Sequence, residues 1–461
     1  MQIEREELKQ LVSKYSAKTV SLMKITDDTD LILDLQYKED NLVQLFLAIE
    51  EFYKIEINIC TRDKDFPLLF SYLIALVENG IQGNGLVNMS EYARQRVDYY
   101  KENNIENVAI IPSDLFRNDV RILSQDYLLS FLSGELLHYA FINSLGEFIF
   151  CTISSLERSI VEKNQWKLRK KWYGINFNDK HLEFHAYAYQ GNRLCKDSKI
   201  IAEKNTLSID IREITQRKIK DVFGIIEEFS PVWISANPSV MHIMVEYMKG
   251  NEIKIDEIRY IELFGEDNDE LLDNEISMVF PNAKIAKAIY TPMGMIALEN
   301  PNHIIKIISQ NVVINTKDNE LVISHNQVLS SPIINFCTDI KGNLITDNTE
   351  LKNVLQRSYN FVILPTEGFA SPRIFEYPLL KVNEEFNNPI IKFQIIQNAI
   401  NSYTLLVEIK KTFYGWEKSI ADAFLDKVSN IVDRKYWNIS FVKNMSNCEY
   451  TGVYSYFYNN I

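Results

Sequence analysis

The stretch "PVWISANPSVMHIMVEYMKGNEIKIDEIRYIELFG", residues 231–265, sets two short apolar runs, "PVWISA" and "IRYIELFG", on either side of a helical segment at 236–249. Apolar runs this short, bounded by Pro, Gly and Asn, read as strands, and the longer amphipathic piece between them reads as a helix. The same alternation extends outward. "HLEFHAYAY" (181–189) and "KIAKAIY" (284–290) are further strand candidates, and 155–173 is a further helix. Strands alternating with helices from residue 86 to about 350 predict a large α/β domain with layered sheets.

On the C-terminal side, "IKFQIIQ" and "YTLLVEI", a helix at 416–433 and a last strand near "WNISFV" predict a small α+β domain. On the N-terminal side, Leu42, Leu45, Ile49 and Phe52 form an apolar stripe at helical spacing, and Leu68, Leu69, Leu73 and Leu76 suggest another helix. "NGIQGNG" (79–85) reads as a linker. The expected organisation is therefore multidomain: an all-α bundle at 1–80, a large α/β domain at 86–355 and a small α+β domain at 357–461.

Composition narrows the function classes. The 461 residues carry a net charge of −13, and residues 1–80 hold nine Lys/Arg against fifteen Asp/Glu, a balance of −6. Long-range repulsion argues against nucleic acid or an anionic membrane as the main partner. The charged start "MQIEREELKQ" offers no signal peptide, and no apolar run approaches the ~18 residues a membrane span requires. Five scattered cysteines (Cys60, Cys151, Cys195, Cys337 and Cys448) contain no CxxC pair and suit a reducing cytoplasm, the expected location.

"ITDDTDLILDL" and "NLVQLFLAIEEFYKIEI", within residues 25–57, resemble the acyl and peptidyl carrier proteins over about 75 residues. Such a carrier presents a serine at the start of its second helix, where phosphopantetheine is attached. In register, that serine falls on Glu39, between Lys38 and Asp40. A carboxylate lacks the hydroxyl nucleophile, so the resemblance implies a carrier without its phosphopantetheine arm, one that docks on carrier-recognising enzymes through residues 1–80.

Most of residues 90–461 resembles the adenylate-forming superfamily, with the phenylacetate–CoA ligase branch as the nearest likeness. The resemblance rests on "PVWISANPSVMHIMVEYMKGNEIKIDEIRYIELFGEDND", "FPNAKIAKAIYTPMGMIALENP", "SSPIINFCTDIKGNLI" and "QRSYNFVILPTEGFASPRIFE", in that order. Members of that family join a carboxylic acid to AMP and pass the acyl group to a thiol. The positions that carry this chemistry are altered here. The phosphate loop corresponds to "NSLGEF" (143–148), where Ser144 and Gly146 fit, Leu145 and Phe148 are bulky, and Glu147 opposes phosphate charge by about 4 kcal/mol at a screened ~4 Å. In "YTPMGM" Tyr290 keeps the adenine-side tyrosine, Met293 replaces the threonine, and Gly294 or a deletion replaces the Mg²⁺-holding glutamate. Val453 stands for the C-terminal lysine that stabilises the α-phosphate.

Other family positions are kept. Asp339 matches the ribose-clasping aspartate, Arg357 the hinge arginine, and Gly265-Glu266 the Gly-Glu turn. These, with Tyr290, are the expected nucleotide or ligand pocket. No metal is expected: His181 and His185 of "HLEFH" lie on a strand, too far apart for easy chelation, and "GEDNDELLDNE" (265–275) lacks EF-hand spacing. The basic run "KLRKKW" (167–172) reads as the solvated face of a helix, and Cys448 has no positioned base to make it a nucleophile. The combined expectation is a non-catalytic partner or scaffold for acyl-activating or carrier-dependent biosynthetic enzymes, with no cofactor and with ATP and Mg²⁺ disfavoured. The rival expectation is a divergent acyl-transfer enzyme or ligase that binds a small carboxylate, an acyl-adenylate or a CoA-like ligand in the ancestral pocket.

Overall fold

The computed structural model describes residues 3–59, 69–83, 86, 88–96, 136–142, 146, 148–185, 189–190, 193–194, 200–268, 270–291, 293–330, 332–345, 347–356, 361–443, 445, 449–450, 453–454 and 456–460. Its centre is a twelve-stranded mixed sheet. Five strands run parallel, in spatial order Thr206–Asp210, His181–His185, Trp233–Ala236, Tyr260–Phe264 and Lys284–Thr291. Helices Ile219–Phe229, Pro238–Gly250 and Glu270–Val279 alternate along the chain with the later parallel strands, and Pro238–Gly250 with its two flanking strands is the unit predicted from residues 231–265. Beyond Lys284–Thr291 the sheet continues antiparallel from Gly294–Glu299 to the edge strand Val312–Lys317.

A small C-terminal α+β unit holds a four-stranded sheet, in spatial order Trp437–Val442, Ser402–Ile409, Ile390–Ala399 and Phe457–Asn459, with helices Glu376–Glu385 and Glu417–Val428. In Ser402–Ile409 half-buried and buried residues alternate without a break, the period-two signature of a strand with one face on a core. A hairpin of Leu136–Ile142 and Phe148–Ser154 precedes the large sheet.

At the N-terminus the described regular elements are helical: α1 (Arg5–Tyr15), α2 (Glu39–Tyr53), α3 (Phe70–Gln82) and α4 (Met89–Arg96), with one 3₁₀ turn at Leu22–Lys24. The apolar stripe of α2 buries Leu42, Leu45, Phe46, Ile49 and Tyr53, whereas Phe52, expected in the stripe, is exposed. The stripe does not close on the N-terminal helices alone. Its apolar cluster runs on into Ile153, Leu156 and Ile160, then into Ile289, Ile296 and the strands around Val312 and Ile323.

The link is α5, Ser155–Tyr173. Ser154 caps it reciprocally: its hydroxyl accepts from the Glu157 N–H at 3.3 Å, and Glu157 Oε2 accepts from the Ser154 N–H at 2.8 Å. Gly174, at φ 70°, ends it in the left-handed conformation. Between these caps α5 buries polar residues. Lys163 Nζ donates to Glu50 Oε1 of α2 at 2.5 Å and to the Ile57 carbonyl at 2.6 Å, and Glu50 Oε1 also accepts from the Ile57 N–H at 2.7 Å. Glu157 Oε1 accepts from the N–H groups of Leu329 and Ser330 at 2.6 and 2.7 Å. Further along, the Gln327 side chain bonds Asn58 and the Ile59 N–H, so residues 57–59 are tied to both α5 and the 326–330 segment. Among the described residues no helix is long and apolar enough to cross a membrane.

The Lys163–Glu50 pair joins residues 113 apart in sequence, and its side chains are 1% and 6% exposed. Removing Lys163 leaves buried Glu50 with only the more exposed Lys167, 3.1 Å from its Oε2, so Lys163→Met is expected to cost about 3 kcal/mol in urea unfolding, whereas Lys163→Met with Glu50→Leu costs clearly less than the sum of the singles.

Candidate functional site

In open α/β sheets, ligands bind outside the carboxyl ends of the parallel strands, at the point where strand order reverses. In chain order the five parallel strands are arranged second, first, third, fourth, fifth, so the reversal lies between His181–His185 and Trp233–Ala236. The carboxyl ends carry His185, Asp210, Asn237, the pair Gly265-Glu266 and Tyr290. Three expected pocket residues therefore share this edge.

Their side chains are occupied by structure. Glu266, buried, accepts from the Ser239 N–H at 2.9 Å and the Ser239 hydroxyl at 3.1 Å, which satisfies the first turn of helix Pro238–Gly250. The Ser239 hydroxyl also lies 2.9 Å from Ser371 Oγ. Gly265 turns at φ +77°, and a Cβ there would stand 2.9 Å from Asn237 Nδ2, which donates to the Phe264 carbonyl at 2.7 Å. Asn237 Oδ1 in turn accepts from Arg373, which pairs with Glu376.

Tyr290 closes a buried ionic cluster. Arg169 of α5 forks onto Glu262, with Nε to Oε2 and Nη2 to Oε1 both 2.8 Å. The Tyr290 hydroxyl donates to Glu262 Oε1 at 2.8 Å and accepts from Arg169 Nη2 at 2.6 Å, while Tyr260 donates to Oε2 at 2.9 Å. Burial alone would raise the Glu262 carboxyl, but the Arg169 guanidinium and the Tyr290 and Tyr260 hydroxyls hold it below the usual range. Trp166 and Trp233 flank the guanidinium at 4.9 and 5.1 Å. The Tyr290 hydroxyl is thereby committed, and its half-buried ring, 5.2 Å from that of Phe264, stays at the strand end. This corrects the reading of "KLRKKW": Lys170 and Lys171 are exposed, but Arg169 is buried and paired. The overlooked signal was Glu262, a carboxylate inside the apolar run "YIELF", which must have a buried partner.

Gly294 sits at φ +123°, and a Cβ there would lie 2.6 Å from Val161 Cγ1 and 2.9 Å from Gln165 Nε2 of α5. Gly146 meets the small unit in the same way. Its carbonyl accepts from the Phe393 N–H at 3.0 Å, and a Cβ would fall 2.0 Å from the Phe393 oxygen. Glu39 faces α5: its carboxylate lies 3.1 Å from Arg158 Nε with the side chain 27% exposed. Burial raises its pKa, Arg158 opposes the rise, and Glu162 and Asp40 add to it.

Asp339 stands in strand Phe336–Ile345 and Val453 in strand Val453–Tyr454. Leu145, Glu147, Arg357 and Cys448 lie outside the described residues. His181 is stacked on Trp233 at 3.6 Å with its Nε2 2.8 Å from Ser235 Oγ, while His185 stands at the strand end beside Asp210 and Arg212. Among the described residues no group of three or more His, Cys, Asp or Glu side chains is arranged to hold a metal ion.

No family model matches the chain, and no curated protein matches it. Solved structures do show likeness. A 2-hydroxyisobutyryl-CoA ligase in complex with 2-HIB-AMP and CoA is 10% identical over 80% of this chain and 87% of its own, with a TM-score of 0.49. An o-succinylbenzoate CoA synthetase from Bacillus subtilis is 12% identical, covering 68% of this chain and 66% of its own, with a TM-score of 0.35. An amide bond synthetase from Marinactinospora thermotolerans is 11% identical over the same shares, with a TM-score of 0.34. Values at this level assign the chain to no family.

Two outcomes follow from the geometry. Gly294→Ala combines a left-handed backbone with a clash against a buried helix, and is expected to cost about 3 kcal/mol or more by urea unfolding. His325, fully buried with its Nε2 3.1 Å from Thr291 Oγ1, has its imidazole pushed down by burial to about 4. The unfolded chain therefore takes up its proton first, near pH 6.5, and the stability His325 contributes above that pH is lost as pH falls toward 4, by roughly 3 kcal/mol. Burial-raised Glu39, Asp40 and Glu183 act in the opposite sense, so the check is the difference between wild type and His325→Asn, whose unfolding free energies converge on acidification.

Proposed function

We propose that the chain is a divergent relative of the adenylate-forming enzymes that binds a preformed acyl-adenylate or CoA-like acyl ligand and acts in acyl transfer. The observation that carries this reading is the position of Gly265-Glu266 and Tyr290 at the carboxyl ends of neighbouring parallel strands, the edge where open α/β sheets hold ligands. Three of the five residues matched from sequence, Gly265, Glu266 and Tyr290, lie at that edge, which supports the reading.

The nucleotide-activating step does not fit the same geometry. At the position matched to the metal-holding glutamate, Gly294 leaves 2.6 Å to Val161 for a Cβ, and a carboxylate has no room there without moving α5. Gly146, the glycine of the matched phosphate loop, has strand Ile390–Ala399 against it instead of open space. Glu39 offers no hydroxyl for a phosphopantetheine arm.

A second reading is a non-catalytic partner of acyl-activating or carrier-recognising enzymes, working through residues 1–80. It is favoured by Met23, Leu33 and Phe52, large apolar side chains 93%, 70% and 50% exposed in that acidic segment. The start of α2, the face a carrier presents, is turned onto α5, so any such docking uses other parts of the segment.

Thermal-shift titration with acyl-sulfamoyladenosines of varied chain length separates the readings. Acyl transfer predicts stabilisation by at least one analogue, lost in Asp339→Ala, with no ATP–pyrophosphate exchange on a carboxylic acid panel. Absence of any shift, together with co-purification of a carrier-recognising enzyme with the full chain that is lost when Met23, Leu33 and Phe52 are replaced by Ser, would establish the partner reading instead.

A further inference from the structure

A cavity of about 650 Å³ lies off the end of strand Thr206–Asp210, and none of Gly265, Glu266, Tyr290 or Gly294 lines it. One wall comes from Arg212 to Lys218, and the other from Leu364 to Lys381 and Lys427 to Ile431. A backbone seam holds the two walls at a fixed separation: the Gln216 N–H donates to the Phe369 carbonyl at 2.8 Å and the Arg217 N–H to the Glu367 carbonyl at 3.1 Å. The volume falls in the range of small-molecule sites, roughly 300–1,000 Å³.

The lining has two characters. Leu364, Ile374, Tyr377 and Ile431 are apolar, and Arg212, Lys218, Lys381 and Lys427 bring four cations. Arg212 is held in place: its Nε lies 3.0 and 2.9 Å from the two oxygens of buried Asp210, and its guanidinium lies 3.9 Å from the centre of the Tyr377 ring. The lysines are adjustable. Lys381 pairs with Glu384 and Lys427 with Glu385, contacts between side chains a quarter or more exposed on at least one partner. Surface pairs of this kind are worth about 0–1 kcal/mol, so both ammonium groups can turn to a ligand at small cost. Lys218, half-buried, reaches the Arg212 carbonyl at 3.5 Å and forms no ion pair with the described residues. Glu213 and Glu367 also line the cavity, and Glu367 accepts from Thr215 Oγ1 at 3.2 Å. An anionic head is therefore drawn to the lysine side.

We propose that this cavity binds an amphipathic anion, a carboxylate or phosphate head on a short apolar body, and that the ligand bridges the large sheet to the small C-terminal unit. The head is met by Lys218 and Lys381, and the body lies against Tyr377, Ile374 and Ile431. Binding at this site does not depend on acyl transfer at the strand edge.

The test is calorimetric titration of the full chain with octanoate, octyl phosphate, octanol and inorganic phosphate, repeated on Lys218→Met with Lys381→Met. Both substitutions are on side chains that are not fully buried, and urea midpoints within error of wild type confirm that the variant folds. At least one of the two octyl anions is expected to bind tenfold or more tightly than octanol or inorganic phosphate, and the variant is expected to lose that affinity at least tenfold. Which anion binds better assigns the head group. Binding by neither anion, equal binding by inorganic phosphate, or affinity unchanged in the variant overturns the proposal. Acyl-sulfamoyladenosine titrated into the same variant keeps the two sites apart: loss of octyl anion binding alone separates this cavity from the strand edge.

Discussion

The structure turns on helix α5 being buried with charges on it. Glu157, Lys163 and Arg169 are spaced six residues apart, which turns each through roughly 240° and about 9 Å along the axis relative to the one before. The three therefore point in three different directions, and each meets a different part of the chain: the 329–330 loop, α2, and the parallel strand Tyr260–Phe264. An unpaired charge in such a setting costs several kcal/mol, so each anchor holds only if its partner is correctly placed. The helix acts as a common axis to which the N-terminal helices, the antiparallel strands and the parallel sheet are all registered. Apolar packing supplies bulk attraction but is tolerant of small slips; charge pairs with fork geometry are far less so.

This arrangement explains which features could be read from sequence. The alternation around Trp233 to Gly265 is a local property, and it reports the α/β sheet because strand and helix periods differ within a few residues. The bounds of α5 were legible for the same reason, since Ser154, Glu157 and Gly174 are local caps. The partners of its charges were not. Arg169 and Glu262 are 93 residues apart and Glu157 and Leu329 are 172 apart, and nothing local distinguishes an arginine facing water from one facing a carboxylate. A basic run on a helix is normally a wet face; here the exposed lysines at 170 and 171 conceal the inward arginine beside them.

The same limit applies to α2. A stripe of Leu42, Leu45, Ile49 and their neighbours shows that one face is covered without showing by what. In the folded chain the cover includes Leu156 and Ile160 of α5. The acidic start of the helix, which by sequence could be read as a displayed surface, is instead where Glu39 and Arg158 meet. Amphipathic periodicity is thus a statement about burial and not about independence.

Gly294, at an altered motif position, and Gly146, at one that fits, carry more information in the fold than in the sequence, where a glycine shows only that no side chain is there. In the fold, Gly294 is the place where α5 comes within 2.6 Å of a Cβ position, and Gly146 is where the small unit comes within 2.0 Å. Each is a contact between bodies that any larger residue would force apart. Under the proposed reading, losing a metal ligand and gaining close packing are then one change. With Val161 packed over Gly294, placing a glutamate there would require displacing the helix that also carries Lys163 and Arg169, and with it the pairs to Glu50 and Glu262. The helix that holds the fold together is thus the same one that closes this position to a larger side chain.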